Sequence, residues 1–178
     1  GNLAVELAHR APDRIAAAIG VDGGALELQF RWPTWDECEA ALAPPRFDGT
    51  PADELTAAIR EAYPDWPDAA VAATLANCEV LADGTVRPWL TYERHLGILK
   101  ALWEHRPSTQ LPRLRIPLLL VMAEADDVLA PARAEEAARA AAAGPHVEVE
   151  WLAGAHDLHV DRPDTLTALF LDFLRRSP

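Results

Sequence analysis

The chain has 178 residues, half of them hydrophobic and a quarter charged, which is enough apolar surface for a core and too few charges for a disordered chain. A formal net charge of −12 argues against a nucleic-acid backbone or an anionic membrane surface as partner. No run of eighteen apolar residues offers a membrane span, and the N-terminus lacks the basic flank and apolar core of a signal peptide.

The opening stretch "GNLAVELAHRAPDRI" repeats small and apolar residues at helical spacing (Leu3, Ala4, Leu7, Ala8) until Pro12 stops the pattern. Next, "RIAAAIGVDGG" reads as a buried parallel strand whose C-terminal end meets a glycine loop. From about Ala25 to Arg115 the character changes. This stretch holds five of the six tryptophans and both tyrosines, and shows several helix starts. Thr34 with Glu37 forms a capping-box pattern, Thr50 precedes Pro51, and Asp65 precedes "WPD". "EVLADGTVRPW" predicts a small hairpin turning at Asp83-Gly84, and residues 91–106 predict the longest helix of the stretch.

A stronger strand, "IPLLLVMAEADD", covers 116–127. Pro131 then opens an alanine-rich helix closed by Gly144. A third strand spans 146–152, and "DRPDTLTALFLDFLRR" gives a final helix with Asp161 as N-cap and two arginines in its last turn. Strands alternating with helices imply an α/β fold with a parallel sheet and right-handed crossovers. The expected division is a core of residues 1–24 and 116–178, interrupted by a helical insertion of residues 25–115. Cys38 and Cys78 lie outside any CxxC or Cys/His pattern, so they read as reduced thiols in a cytoplasmic protein without a metal site.

In open parallel sheets, ligands bind beyond the C-terminal ends of the strands. Two polar clusters fall there, "EADD" after the second strand and "GAHDLHVDRP" after the third. An acid and a histidine on neighbouring strand ends can hydrogen-bond, the carboxylate fixing the imidazole tautomer and the imidazole serving as general base.

These segments resemble the C-terminal half of a capped α/β-hydrolase. Gly154, His156, His159, Asp161 and Pro163 match the family's histidine loop, and "PLLLVMAEADDVLAP" matches the strand and acid before it. The resemblance implies Asp126 as the orienting acid and His156 as the catalytic base, with no cofactor. It leaves Asp127 and Asp22 open as alternative acids. His159 reads as a packing or supporting residue, and His95 and His105 as structural residues on a helix of the insertion. The family's nucleophile sits in a G-x-S-x-G elbow before a helix. The only serines, Ser108 and Ser177, lie in a proline-rich linker and the C-terminal tail. The resemblance implies a serine nucleophile of a Ser-His-Asp triad three positions upstream of Gly1, with Gly1 as the second glycine of the closing pair in a G-x-S-x-G-G elbow. On this reading the chain needs an N-terminal segment of the same fold as its partner and is poorly soluble alone.

The implied activity is esterase- or lactonase-like hydrolysis of a small apolar carbonyl substrate, with Trp32, Trp35, Trp89, Val128 and Leu158 as candidate pocket residues. Two other readings are open. "GVDGG" formally matches the G-x-D-x-G elbow of epoxide hydrolases and dehalogenases, where Asp22 would be the nucleophile and the two tyrosines of the insertion, Tyr63 and Tyr92, hydrogen-bond donors. The short "ALELQFRWP" behind it, with no further core strand until residue 116, fits an elbow poorly. A non-catalytic ligand-binding module of the same fold is the third reading.

Overall fold

A computed structural model describes residues 1–125 and 130–177. In chain order its elements are α1 (Asn2–Arg10), β1 (Ala18–Val21), α2 (Trp35–Leu42), α3 (Ala52–Ala62) and α4 (Asp68–Leu75). There follow β2 (Cys78–Val80), β3 (Val86–Pro88), α5 (Tyr92–Glu104) and the short α6 (Pro107–Gln110). The last are β4 (Leu118–Ala123), α7 (Ala130–Ala142), β5 (Val147–Leu152), the single-turn α8 (Leu158–Asp161) and α9 (Pro163–Arg176). They fall into two compact units, one of Gly1–Arg31 with the residues from Leu102 onward, the other of Trp32–Ala101. Residues 25–31 and 102–115, grouped with the insertion by composition, thus pack within the first unit.

The first unit is built on a parallel sheet of order β1-β4-β5. β4 lies in the middle and all six of its residues are buried. The cause is the alternation of side chains to opposite faces of a strand, with helices covering both. Leu118, Leu120 and Met122 point to one face, where they pack with Val5 and Ala8 of α1 and Ala137 and Ala140 of α7. Leu119, Val121 and Ala123 point to the other, against Leu158 and against Leu166 and Phe173 of α9. The alanine-rich sequence of α7 suits this arrangement, because small residues let a helix lie close to the sheet while retaining high helix propensity.

Strand register decides where the loops emerge. Ala18 pairs with Leu118 and Val21 with Val121, while Leu118 pairs with Val147 and Ala123 with Leu152. The C-terminal ends of all three strands therefore open on the same side, where Asp22 and the loop containing His156 emerge.

The second unit has its own core of Leu55, Ile59, Val71 and Val86, with Trp66 and Leu75 packed against it. The capping box at the start of α2 forms: the Thr34 hydroxyl accepts from the Glu37 amide, and the Glu37 carboxylate accepts from the Thr34 amide at 3.1 Å. The hairpin forms as well, with β2 and β3 antiparallel. At its turn Gly84 adopts φ of 85°, a conformation natural to glycine, and Asp83 accepts from the Thr85 amide and hydroxyl. One start differs. α4 begins at Asp68 after Pro67 rather than at Asp65, because the residue before a proline is pushed out of the helical region. Among the described residues no helix is long and apolar enough to cross a membrane.

Phe173 is 1% exposed and central to the second face of the sheet. Phe173→Ala should cost about 3–5 kcal/mol in urea-induced unfolding, the range for deleting a large core ring; a loss under about 1 kcal/mol would contradict the packing of α9 on β4.

Candidate active site

β1 ends at Val21, and the next residue, Asp22, takes φ of 39°, the sole positive-φ residue other than glycine among those described. Its amide continues the ladder by donating to the Val121 carbonyl at 2.7 Å. Its carboxylate is divided between two partners. Oδ1 accepts from the Ala123 amide at the end of β4 at 3.0 Å, and Oδ2 lies 2.7 Å from His156 Nδ1. The Asp22 side chain is 4% exposed, whereas that of His156 is 77% exposed. Acid and imidazole thus meet with the carboxylate buried at the sheet end and the imidazole facing outward. With Nδ1–H donated to the carboxylate, Nε2 is left as the proton acceptor.

The loop carrying His156 is held at several points. Asp161 Oδ2 accepts from the Ala155 amide at 2.8 Å, and Arg162 Nε donates to the Ala153 carbonyl at 3.0 Å. At Gly154 a β-carbon would stand 2.8 Å from Leu158 Cδ2, so the Leu158 side chain would have to shift to admit one. The hydrogen bond to the Asp22 carboxylate raises the His156 pKa above the ordinary 6.5, outweighing desolvation, which lowers it.

On the other side of Asp22, α1 abuts the glycine loop. A β-carbon on Gly1 would lie 2.1 Å from the Gly23 carbonyl carbon and 2.3 Å from the Gly24 nitrogen. Asn2 ties the two together: Oδ1 accepts from the Gly24 amide at 2.9 Å and Nδ2 donates to the Leu26 carbonyl at 2.6 Å. Nδ2 also meets His105 Nδ1 at 3.0 Å, which makes that ring nitrogen an acceptor and leaves Nε2–H to face Gln110 Oε1 and Glu6 Oε2 at 2.9 and 3.1 Å. His105 is therefore a structural histidine that pins α1.

The other candidates scatter. Asp126, Asp127 and Val128 lie outside the described residues. His159 is exposed on α8. Leu158, expected in a substrate pocket, is instead fully buried beneath the sheet beside Leu166 and Phe173, because its helical turn faces the core. Trp89 lines a pocket of about 840 Å³ in the second unit, as does Tyr92. Trp32 and Trp35 are half-buried in that unit and outside the pocket's lining, and Tyr63 stacks on Trp66 with ring centroids 3.9 Å apart. Ser108 donates its amide to Glu27, and the Ser177 hydroxyl donates to the Phe173 carbonyl. Among the described residues no group of three His, Cys, Asp or Glu could hold a metal.

Glu136, inside the alanine-rich α7, carries no signal in the sequence. It lines a cavity of about 260 Å³ in the first unit together with Glu27, Phe30 and Arg139. Burial pushes its carboxyl up to about 7, against the pull of Arg139 and Arg31 and with added repulsion from Asp22. Nothing in the spacing of α7 marks this acid apart from its exposed neighbour Glu135.

The parallel sheet and its flanking helices carry the α/β-hydrolase fold. Solved structures of that fold match nearly all of the chain. E-2-(acetamidomethylene)succinate hydrolase matches over 96% of this chain and 62% of its own, at 18% identity with a TM-score of 0.72. The enol-lactonase from Burkholderia xenovorans matches over 99% of this chain and 62% of its own, at 21% identity with a TM-score of 0.61. An esterase from Mycobacterium tuberculosis matches over 98% and 59%, at 19% identity with a TM-score of 0.69. The chain thus spans about three fifths of the length of these proteins. No protein-family model and no curated protein sequence matches it.

Asp22→Asn should bring the His156 titration midpoint down toward the ordinary imidazole value, followed by NMR on its Cε1 proton; an unmoved midpoint would show that the two side chains are unpaired in solution. Because pairing raises the folded-state pKa, its contribution to stability is complete below about pH 6.5 and is lost as pH rises through the folded midpoint. Glu136 has the opposite consequence. Its folded pKa near 7 exceeds the ordinary 4.5, so stability falls as pH rises between those values. Glu136→Gln should raise the melting temperature at pH 8 and leave it nearly unchanged at pH 4. Equal shifts at both pH values would rule out a buried, titrating carboxyl.

Proposed function

We propose that this chain belongs to a serine hydrolase of the α/β-hydrolase type, acting on a small apolar ester or lactone, with its nucleophilic serine upstream of Gly1. The observation that carries the reading is the 2.7 Å contact between buried Asp22 Oδ2 and His156 Nδ1 at the C-terminal ends of a parallel sheet. In this mechanism Asp22 holds the Nδ1–H tautomer and stabilises the imidazolium that forms. His156 Nε2 takes the proton from the serine as it attacks the carbonyl carbon, and returns it to the leaving oxygen as the acyl-enzyme forms. A water, deprotonated by the same nitrogen, then releases the acid.

The packing of Gly1 and Asn2 against Gly23 and Gly24 supports the position of the nucleophile, since it sets the N-terminal end of α1 beside the loop that follows Asp22. A helix N-terminus there would favour negative charge developing on the substrate oxygen. Asp22 as orienting acid rather than nucleophile is supported by its pairing with Nδ1 and by the engagement of both its oxygens. Esterases and a lactonase among the structural neighbours support the substrate class. The second unit, inserted in the chain between β1 and β4, is the part this reading assigns to a substrate-selecting cap.

The protein carrying this chain together with its upstream residues should gain the mass of one phosphonyl group from a fluorophosphonate probe, read by intact mass spectrometry, and should hydrolyse 4-nitrophenyl butyrate. His156→Ala should abolish labelling, and Asp22→Asn should lower kcat by roughly 10⁴ through loss of the correct tautomer. An unlabelled, inert parent protein, or an Asp22→Asn variant with parental kcat, would sink the assignment.

A further inference from the structure

The second unit contains a pocket of about 840 Å³ whose lining residues all lie between Pro44 and His95. That volume is in the range of small-molecule sites. Its walls are chiefly apolar and include Pro45, Phe47, Leu55, Ile59 and Trp89. Trp89 is 63% exposed, a large ring presented to solvent at the pocket. Two guanidinium groups reach the lining, and they differ in state. Arg87 is paired with Glu79 through Nη2 and Nε at 2.5 and 3.1 Å. Among the described residues no carboxylate lies within ion-pair distance of Arg46. Its guanidinium instead lies 3.5 Å from the centroid of the Tyr92 ring, which holds the planar group still while leaving its edge N–H donors open.

An ordered guanidinium with unused donors beside apolar and aromatic walls is complementary to one planar anion carried on an apolar body. We propose that this pocket binds a small monocarboxylate with an aromatic or branched apolar body, its carboxylate paired with Arg46 and its body against Trp89 and Phe47. A cationic ligand is disfavoured because the cation–π position on Tyr92 is already taken by Arg46. A dianion is disfavoured by its surroundings. The exposed carboxylates of Asp48 and Glu93 share the lining, and twelve acidic residues face five basic ones between Trp32 and Ala101. A single negative charge placed at Arg46 gains the close pair and meets the least of that repulsion. The inference concerns the second unit alone and holds whether or not the protein is a hydrolase.

Isothermal titration calorimetry on the full chain with 4-phenylbutyrate, its neutral amide and 4-phenylbutylamine tests it. The acid should bind saturably and about tenfold more tightly than the amide, the scale of one charge-assisted hydrogen bond. Arg46→Gln, an exposed loop substitution that removes no hydrogen bond among the described residues, should erase the preference for acid over amide with an unchanged far-UV circular dichroism spectrum. Trp89→Ala should weaken acid and amide alike. The proposal is overturned if the amine binds best, if the amide binds as tightly as the acid, if Arg46→Gln retains the preference, or if the folded chain shows no saturable binding of the acid at millimolar concentration.

Discussion

A carboxylate buried at the end of a parallel sheet is the constraint around which the first unit is arranged. Asp22 is 4% exposed on its side chain, and an ion in that position is costly unless its oxygens are satisfied. The fold supplies one donor from β4, the Ala123 amide, and one from the loop after β5, the His156 imidazole. Both depend on register. With Val21 opposite Val121, Asp22 emerges next to the end of β4, and its positive φ turns the backbone away from the strand direction. A one-residue slip would send its side chain to the other face of the sheet and strand the imidazole.

The segments that carry the two partners each make a close approach. Gly1 lies against the main chain of Gly23 and Gly24, and Gly154, in the loop that carries His156, lies against the side chains of Leu158 and Asp161. A side chain at Gly1 would force α1 away from the glycine loop that follows Asp22. Asn2, which accepts from the Gly24 amide and donates to the Leu26 carbonyl, and Asp161, which accepts from the Ala155 amide, then lock these segments. The division of labour is physical. The buried carboxylate provides position, and the exposed imidazole keeps its second nitrogen open to solvent.

Much of this was legible in the residues. The continuous apolar run of β4 announced a strand covered on both faces, the proline and glycine around α7 marked its ends, and Thr34 with Glu37 marked the start of α2. His156 stood out because a glycine, a second histidine and a helix-opening proline surround it. The pocket residues were less legible. Leu158 looked like a pocket residue from its place beside His156, but a single helical turn rotates it into the core. Glu136 and Arg46 were invisible, since one lies in an alanine-rich helix and the other in a loop, and only burial or stacking distinguishes them from solvated charges.

The pairing of His156 with Asp22 shows where linear spacing stops being informative. Sequence proximity favours an acid about thirty residues before His156, at the end of the strand that precedes β5. The observed partner lies 134 residues away. In the sheet order β1-β4-β5, β1 is one strand beyond β4, about 5 Å further at ordinary strand spacing. A carboxylate rising from β1 and leaning over the end of β4 covers that distance, and the Ala123 amide holds it there. Asp22 thus reaches the imidazole from a strand that is not adjacent to β5 in the sheet. The pattern around His156 can thus be read residue by residue, while its partner on β1 is found only by knowing the order of the strands.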